Sequence, residues 1–373
     1  MGNQSNQMCT YCVMDGSDKD IVFDSGGRCN HCRGYELFLR EIALKDTYGK
    51  ARLDAVLKEI RDWGRGKPYD SILGVSGGID SSFLALKAAE WGLRPLLVHI
   101  DNAYNAEIAE RNIANLVAAT GFDLQTKRVD LEDFLDMQRA YFRAGVVDIE
   151  VVTDHALVAE LFSLAKKHGL RHVLSGYNHS TEYILPKSWY YTKSDARNIK
   201  AITERFGTRK HSSYVFYGMW RQLWDRRTRK MATADLLNYI DYRKDDAMAE
   251  LREKAGWEYY GGKHYESVFT RFFQAHILPA KFGIDKRRAH FSNLIVNGQM
   301  SRDEALAELE NPLYSQELLE QDKRMVLEKL GMSPEEFAAY IAAPGVPHTD
   351  FPNSSVLFGK VLACYHEIRR MVA

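Results

Sequence analysis

The chain has 373 residues, 45% hydrophobic and 27% charged, which is room for two or three domains of ordinary size. Fifty basic residues balance fifty acidic ones, which excludes a chain built for non-specific nucleic-acid binding. No stretch approaches eighteen apolar residues and the N-terminus MGNQSNQMCTYC has no charged-then-apolar leader, so a cytoplasmic protein without a membrane partner is expected.

The first element is a cysteine cluster. Cys9-x-x-Cys12 and Cys29-x-x-Cys32 match the spacing of four-thiolate zinc sites, where each pair forms a knuckle aimed at one ion. Free thiols or an iron–sulfur site are the alternatives; His31, inside the second knuckle, is an outside candidate ligand. With all four positions filled, the expected role is structural. Cys364 stands alone in a helical pattern and reads as a small buried residue.

Tyr35 to Trp63 follows a helical pattern and Gly64–Pro68 reads as a turn. From Tyr69 strands then alternate with helices: strands at Ser71–Val75, Pro95–Ile100, Leu124–Val129 and Arg171–Ser175; helices at Ser81–Trp91, Asn105–Thr120 and Asp154–His168. This rhythm predicts an α/β fold with a doubly wound parallel sheet, whose ligands sit at the carboxyl ends of strands. Helices are predicted at Ala234–Ile240, Asp245–Ala255, Ser301–Leu309, Gln316–Leu330 and Pro334–Ala342. The expected organisation is a zinc-knuckle module (1–50), an α/β domain (60–230) and a mainly helical C-terminal region (231–373).

Ser76-Gly77-Gly78-Ile79-Asp80-Ser81-Ser82 lies between the first strand and its helix. A glycine-rich turn entering a helix forms an anion nest, and Ser76, Ser81 and Ser82 add hydroxyl donors. There is no Walker lysine. Asp80 repels phosphate unless a cation bridges the two, which points to Mg²⁺. The bland alternative is a Gly-Gly turn with an aspartate cap.

The stretch resembles the PP-loop, S-G-G-x-D-S, of the ATP pyrophosphatase superfamily (adenine nucleotide α-hydrolase-like). That resemblance implies ATP cleavage at the α-phosphate, with pyrophosphate leaving and a carbonyl oxygen adenylated. Ser175-Gly176-Tyr177-Asn178-His179-Ser180-Thr181-Glu182 is similar to the G-x-N-x-(S/T)-E segment of the amidotransferase branch, implying that Glu182 joins Asp80 at Mg²⁺ and that Asn178 lies at the ATP site. Tyr177 departs from the small residue usual there. The end of the second strand, including Asp101, lies where relatives lodge adenosine.

The opening cysteine motif together with DNAYNAE, SGYNHSTEYILP, KHYESVFTRFFQ and KFGIDKRRAHFSNLIVNGQMSRDEAL resembles the N-acetyl sugar amidotransferases of bacterial surface-polysaccharide (lipopolysaccharide, O-antigen) synthesis. The resemblance implies conversion of an acetamido to an acetamidino group on a nucleotide-linked sugar, with ATP and ammonia consumed. No cysteine lies between residues 33 and 363, so a sulfur carrier near the loop is absent. The chain begins Met-Gly and offers no nucleophilic cysteine with a histidine partner. Ammonia is therefore expected free or from partner glutaminase and cyclase-like subunits, resembling the imidazole glycerol phosphate synthase pair. Lys281, Lys286, Arg287 and Arg288 are candidates for a sugar-linked diphosphate or carboxylate, or else a solvated basic face. Lys263, His264 and Glu266 are candidates for proton transfer, or else surface residues. Ser188–Tyr191 either stacks a base or packs the core. The alternatives are a PP-loop tRNA- or nucleobase-modifying enzyme and a non-catalytic ATP-binding scaffold.

Overall fold

The computed structural model describes residues 7–45, 48–262, 265–359 and 361. Lys263, His264 and Cys364 lie outside the described residues. The N-terminal helical pattern resolves into α1 (Asn30–Lys45) and α2 (Lys50–Trp63). The alternating region follows as β1 (Ser71–Gly74), α3 (Ile79–Glu90), β2 (Pro95–Asp101), α4 (Glu107–Thr120), β3 (Leu124–Arg128), α5 (Leu131–Ala144), α6 (Val151–Lys167), β4 (His172–Leu174) and α7 (His179–Glu182). Then come α8 (Ala196–Phe206), α9 (Met219–Thr228), β5 (Ala232–Ala234), α10 (Lys244–Ala255) and α11 (Val268–Phe272), which runs into a π-helical stretch over Phe273–Phe282. The chain ends in α12 (Lys286–Val296), α13 (Arg302–Glu310), α14 (Gln316–Leu330) and α15 (Pro334–Ala342).

All pairings in the sheet are parallel and the order is β3-β2-β1-β4-β5. Helices cover both faces, so β1 and β2 read as unbroken apolar runs: Ile72, Leu73, Leu97 and Val98 are all at most 1% exposed. The chain moves from β1 to β2 and β3 on one side, then returns to β4 and β5 on the other. A crevice therefore opens between the carboxyl ends of β1 and β4, the place where doubly wound sheets bind ligands.

Several elements depart from the sequence expectation, which held no helix at α5, α8, α9 or α12. The helix expected at Ala234–Ile240 is instead the end of β5 followed by a single 3₁₀ turn at Leu236–Tyr239. β5 pairs in register with β4, His172 with Ala232 and Leu174 with Ala234. The need to pair that β4 edge outweighs the helix preference of Ala and Leu. The sheet thus continues past residue 230 into the region expected to be helical. Helix α5 is capped by Asp130, whose carboxylate accepts from Asp133 N–H at 3.0 Å.

The cysteine module does not stand apart. Cys9, Cys12, Val13, Met14, Ile21, Cys29 and Cys32 share one buried core with Trp189, Phe269, Phe272 and Leu330. Ser188 donates to Asp18 at 2.8 Å, Trp189 is 1% exposed, and Tyr191 stacks on His348 with centroids 4.1 Å apart, so this aromatic stretch packs the core. Among the described residues no helix is long and apolar enough to cross a membrane.

Candidate functional site

The turn after β1 is shaped by Gly77, at φ 79°. A Cβ there would also come 2.6 Å from the carbonyl oxygen of Ala109, so only glycine fits. Trp257 Nε1 holds the turn by donating to Gly77 O at 2.9 Å. The turn after β4 must approach it closely: a Cβ on Gly176 would lie 3.1 Å from the backbone of Asp80 and Ser81. These two glycines let the SGGIDSS and SGYNHSTE segments meet.

They meet around a cavity of about 190 Å³ lined by Ser76, Gly78, Asp80, Ser81, Glu182 and Glu266, with Tyr177, Tyr242, Lys244, Tyr260 and His290. Asp80 sits in the first turn of α3. Its carboxylate accepts from Asn178 Nδ2 at 3.2 Å and from the Tyr242 hydroxyl. Burial, reinforced by the Asp80 charge, pushes the Tyr242 hydroxyl well above its ordinary pKa, so it stays a proton donor. Burial, then Glu266, does the same for Tyr260, which accepts from Ile79 N–H at 3.2 Å. Asn178 is fully buried and caps α7 by accepting from Thr181 N–H at 2.9 Å. One amide thus ties the carboxylate of the first loop to the helix that carries Glu182.

Glu266 accepts from Ser76 Oγ at 3.2 Å and stands over Gly78. Three carboxylates, Asp80, Glu182 and Glu266, share the cavity with one lysine, Lys244, and His290, whose Nε2 is 3.4 Å from Lys244 Nζ. Adding phosphates to this set requires further positive charge. Mg²⁺ is typically held by one or two carboxylates plus phosphate oxygens, and Asp80 with Glu182 fits that demand.

Other sequence candidates lie elsewhere. Ser82 is fully buried within α3, and its Oγ has no partner among the described residues. Asp101, at the end of β2, accepts from Ala103 N–H at 3.0 Å and Arg128 Nε at 3.0 Å. Burial raises its pKa, but these two donors outweigh it and hold the carboxyl below the ordinary range. The bonded residue, Ala103, adopts a left-handed φ of 64°, so Asp101 is committed to a strained turn.

The basic group Lys281, Lys286, Arg287 and Arg288 does not line the cavity. Lys281 donates to the carbonyls of Tyr340 and Ala343, both at 2.5 Å. Lys286 lies over the Phe273 ring and balances the buried Asp148 and Glu150. Arg287 pairs with Asp285 and donates to the carbonyls of Glu308, Leu309 and Asn311 at the end of α13. Arg288 pairs with Asp15 at 3.0 Å and donates to Val13 O. Each guanidinium or ammonium is used to join elements. Lys244 and His290 occupy the cavity instead. His290 lies two residues beyond the cluster, in RRAHFSN.

The four cysteines are buried, with sulfurs within 4.8 Å of one another. Neighbouring Sγ atoms are 3.6, 3.7 and 3.9 Å apart. A tetrahedral zinc with Zn–S of about 2.3 Å requires about 3.8 Å, so the donor set fits that ion. Backbone N–H groups of Tyr11, Cys12 and Cys29 point at Cys9 Sγ at 3.3–3.4 Å, as suits a thiolate. His31 turns away and pairs with Asp18 at 2.7 Å.

The module is latched to the cavity through α12 and α13. Arg302 donates to the carbonyls of Cys9 and Cys12, and Ser292 Oγ accepts from Val13 N–H. From the same α12, Asn293 exchanges two bonds with the backbone of Ile184, and Asn297 donates to Ser180 O at 2.8 Å. Those bonds bracket Glu182.

Residues 266–364 match the family model described as the LPS biosynthesis protein WbpG-like, C-terminal domain. That segment supplies Glu266 and His290 to the cavity. Curated proteins yield no match. Among solved structures, the chain is similar to the NMN synthetase from Francisella tularensis, at 11% identity and TM-score 0.29, covering 75% of this chain and 97% of that one. It is similar to the NH3-dependent NAD synthetase from Campylobacter jejuni, at 13% and 0.30, covering 76% and 96%. The glutamine-dependent NAD+ synthetase from Acinetobacter baumannii follows at 17% and 0.31, covering 79% of this chain and 46% of that one.

Proposed function

We propose that the protein is an ATP-dependent amidotransferase that turns the acetamido group of a nucleotide-linked N-acetyl sugar into an acetamidino group. The observation that carries this reading is the meeting of Asp80 and Glu182 in one cavity at the β1–β4 crevice, joined by Asn178. The match of residues 266–364 to a lipopolysaccharide-biosynthesis domain supports a surface-glycan substrate.

In this reading the SGGIDSS turn receives the β,γ-pyrophosphate of ATP. Asp80 and Glu182 would hold Mg²⁺, which would supply positive charge against the phosphates. Tyr242 and Asn178 hold Asp80 in place. The acetamido oxygen attacks the α-phosphorus; its O–P bond forms as the bond to pyrophosphate breaks. Ammonia then adds to the imidate carbon, the C–O bond to AMP breaks, and one proton must leave nitrogen. His290 is the imidazole in the cavity able to take it, with Lys244 beside it to stabilise phosphate charge. Catalysis rests mostly on positioning and on charge placed before the reaction begins. Ammonia comes either free or from partner glutaminase and cyclase-like subunits; among the described residues the cysteines are all gathered in the one cluster.

The test is incubation with ATP, ammonium and a panel of nucleotide-linked mono- and diacetamido sugars. AMP release that depends on both sugar and ammonium, with a one-dalton decrease in sugar mass, is the expected result. No AMP release with any sugar would sink the proposal, and tight saturable binding of bulk tRNA would favour a nucleic-acid substrate instead.

A further inference from the structure

Helix α9 inverts the usual amphipathic arrangement. Its buried side carries an acid: Asp225 is fully buried, accepts from the Tyr217 hydroxyl at 3.0 Å, and pairs with Lys166, Arg221 and Arg229. Its outer side is apolar. Trp220, Leu223 and Trp224 are 42%, 39% and 63% exposed, and their i, i+3, i+4 spacing places them on one ridge. A helix of a soluble domain normally turns such a stripe inward. The apolar surface continues onto the chain's last described residues. Phe358 packs edge-on to Trp220 at 5.0 Å, and Val356 and Leu357 are more than half exposed. Contiguous exposed apolar surface of this kind marks an interaction site.

Charge selects the partner. Between Met219 and Lys230 the sole acid is the inward-facing Asp225, while Arg221, Arg226, Arg227, Arg229 and Lys230 are exposed. This local surplus of cations stands on a chain whose formal net charge is zero. Two tryptophans and a leucine flanked by arginines have the composition of a helix that lies in a membrane interface. The ridge is exposed and its helix is anchored by the Asp225 network, so it can lie along a deformable planar surface. That no helix among the described residues is long and apolar enough to cross a membrane has no bearing on such a surface helix.

We propose that α9 seats the protein on an anionic lipid surface, with Trp220 and Trp224 at headgroup depth and Arg226, Arg227 and Lys230 against the lipid phosphates. No residue of α9 lines the cavity.

Flotation of the full chain with phosphatidylglycerol–phosphatidylethanolamine vesicles tests this. Binding is expected to anionic vesicles, about tenfold or more weaker to phosphatidylcholine, and weakened by high salt. A Trp220→Ser, Trp224→Ser variant and an Arg226→Gln, Arg227→Gln, Lys230→Gln variant should each lose most of the binding with unchanged melting temperature and zinc content. Three results would overturn the proposal: no flotation of the wild type with anionic vesicles, a tryptophan variant that binds like the wild type, or a wild-type dimer that the tryptophan variant converts to monomer. The last would assign the ridge to a second copy of the chain.

Discussion

The cavity at the β1–β4 crevice and the α12 frame behind it draw on the same residue types for opposite ends. In the frame, Arg287 spends its donors on Asp285 and three carbonyls at the end of α13, and Arg288 spends its own on Asp15 and Val13. In the cavity, Lys244 and His290 line the wall together with three carboxylates. A run of basic residues in sequence is therefore a poor guide to where positive charge meets a ligand. What distinguishes the two regions is whether polar atoms end on the chain's own backbone or on a cavity wall.

Substitutions should divide along the same line. The largest effect is expected at Asp80. Asp80→Asn keeps the volume and the bond to Tyr242 but removes the charge, and AMP release should fall by at least about a hundredfold. Melting temperature and zinc content should stay near wild type. A variant that still turns over normally would remove Asp80 from the Mg²⁺ site and place it in the frame.

Next comes the cysteine cluster, where metal binding contributes directly to folding. Cys29→Ser, or a strong chelator, should lower the melting temperature by about 10 °C or more. Because α12 holds both the module and the backbone around Glu182, AMP release should fall with it. Loss of zinc without any change in melting would mean that the module is not part of the shared core. Arg287→Ala should cost less, about 1–3 kcal/mol in denaturant unfolding, with kcat unchanged. Lys244→Met should show the reverse, a loss of activity with little change in stability. If the two variants behaved alike, the division between cavity and frame would fail.

The parts legible in the sequence were those whose function depends on local spacing. Four cysteines in two pairs, and a glycine turn between an apolar run and a helix, carry their geometry within a few residues. Asp80 and Glu182 were paired through the resemblance of their two segments to PP-loop proteins; the strand–helix rhythm adds only that both follow strand ends. β5 was not legible, because three residues become a strand only when β4 offers an edge. Lys244 and His290 were not legible either. They belong to α10 and α12, and only the folding of those helices back over the sheet brings them together. The structure adds a capping box of Ser301 and Glu304 at the start of α13. The contacts that α12 makes with the module and with Ile184 have no local signature.

Asp235 tests the boundary between the two regions most finely. It follows β5, beside Glu182. Burial pushes its carboxyl above the ordinary range, the Glu182 charge adds to that shift, and a bond from Ser175 opposes it. In the unfolded chain the group ionises at its ordinary value. In the folded chain it resists ionisation, so wild-type stability is lost as pH rises from the ordinary carboxylate value through the raised folded one. Asp235→Asn should therefore be more stable than wild type at neutral pH, with the advantage disappearing in acid. Melting curves between pH 3 and pH 8 measure this, and it is the smallest shift of the set. If the Asp235 charge serves the same cation as Glu182, Mg²⁺ with ATP should raise the wild-type melting temperature more than that of the variant. Equal gains would place Asp235 in the frame, as a buried charge that the cation does not relieve.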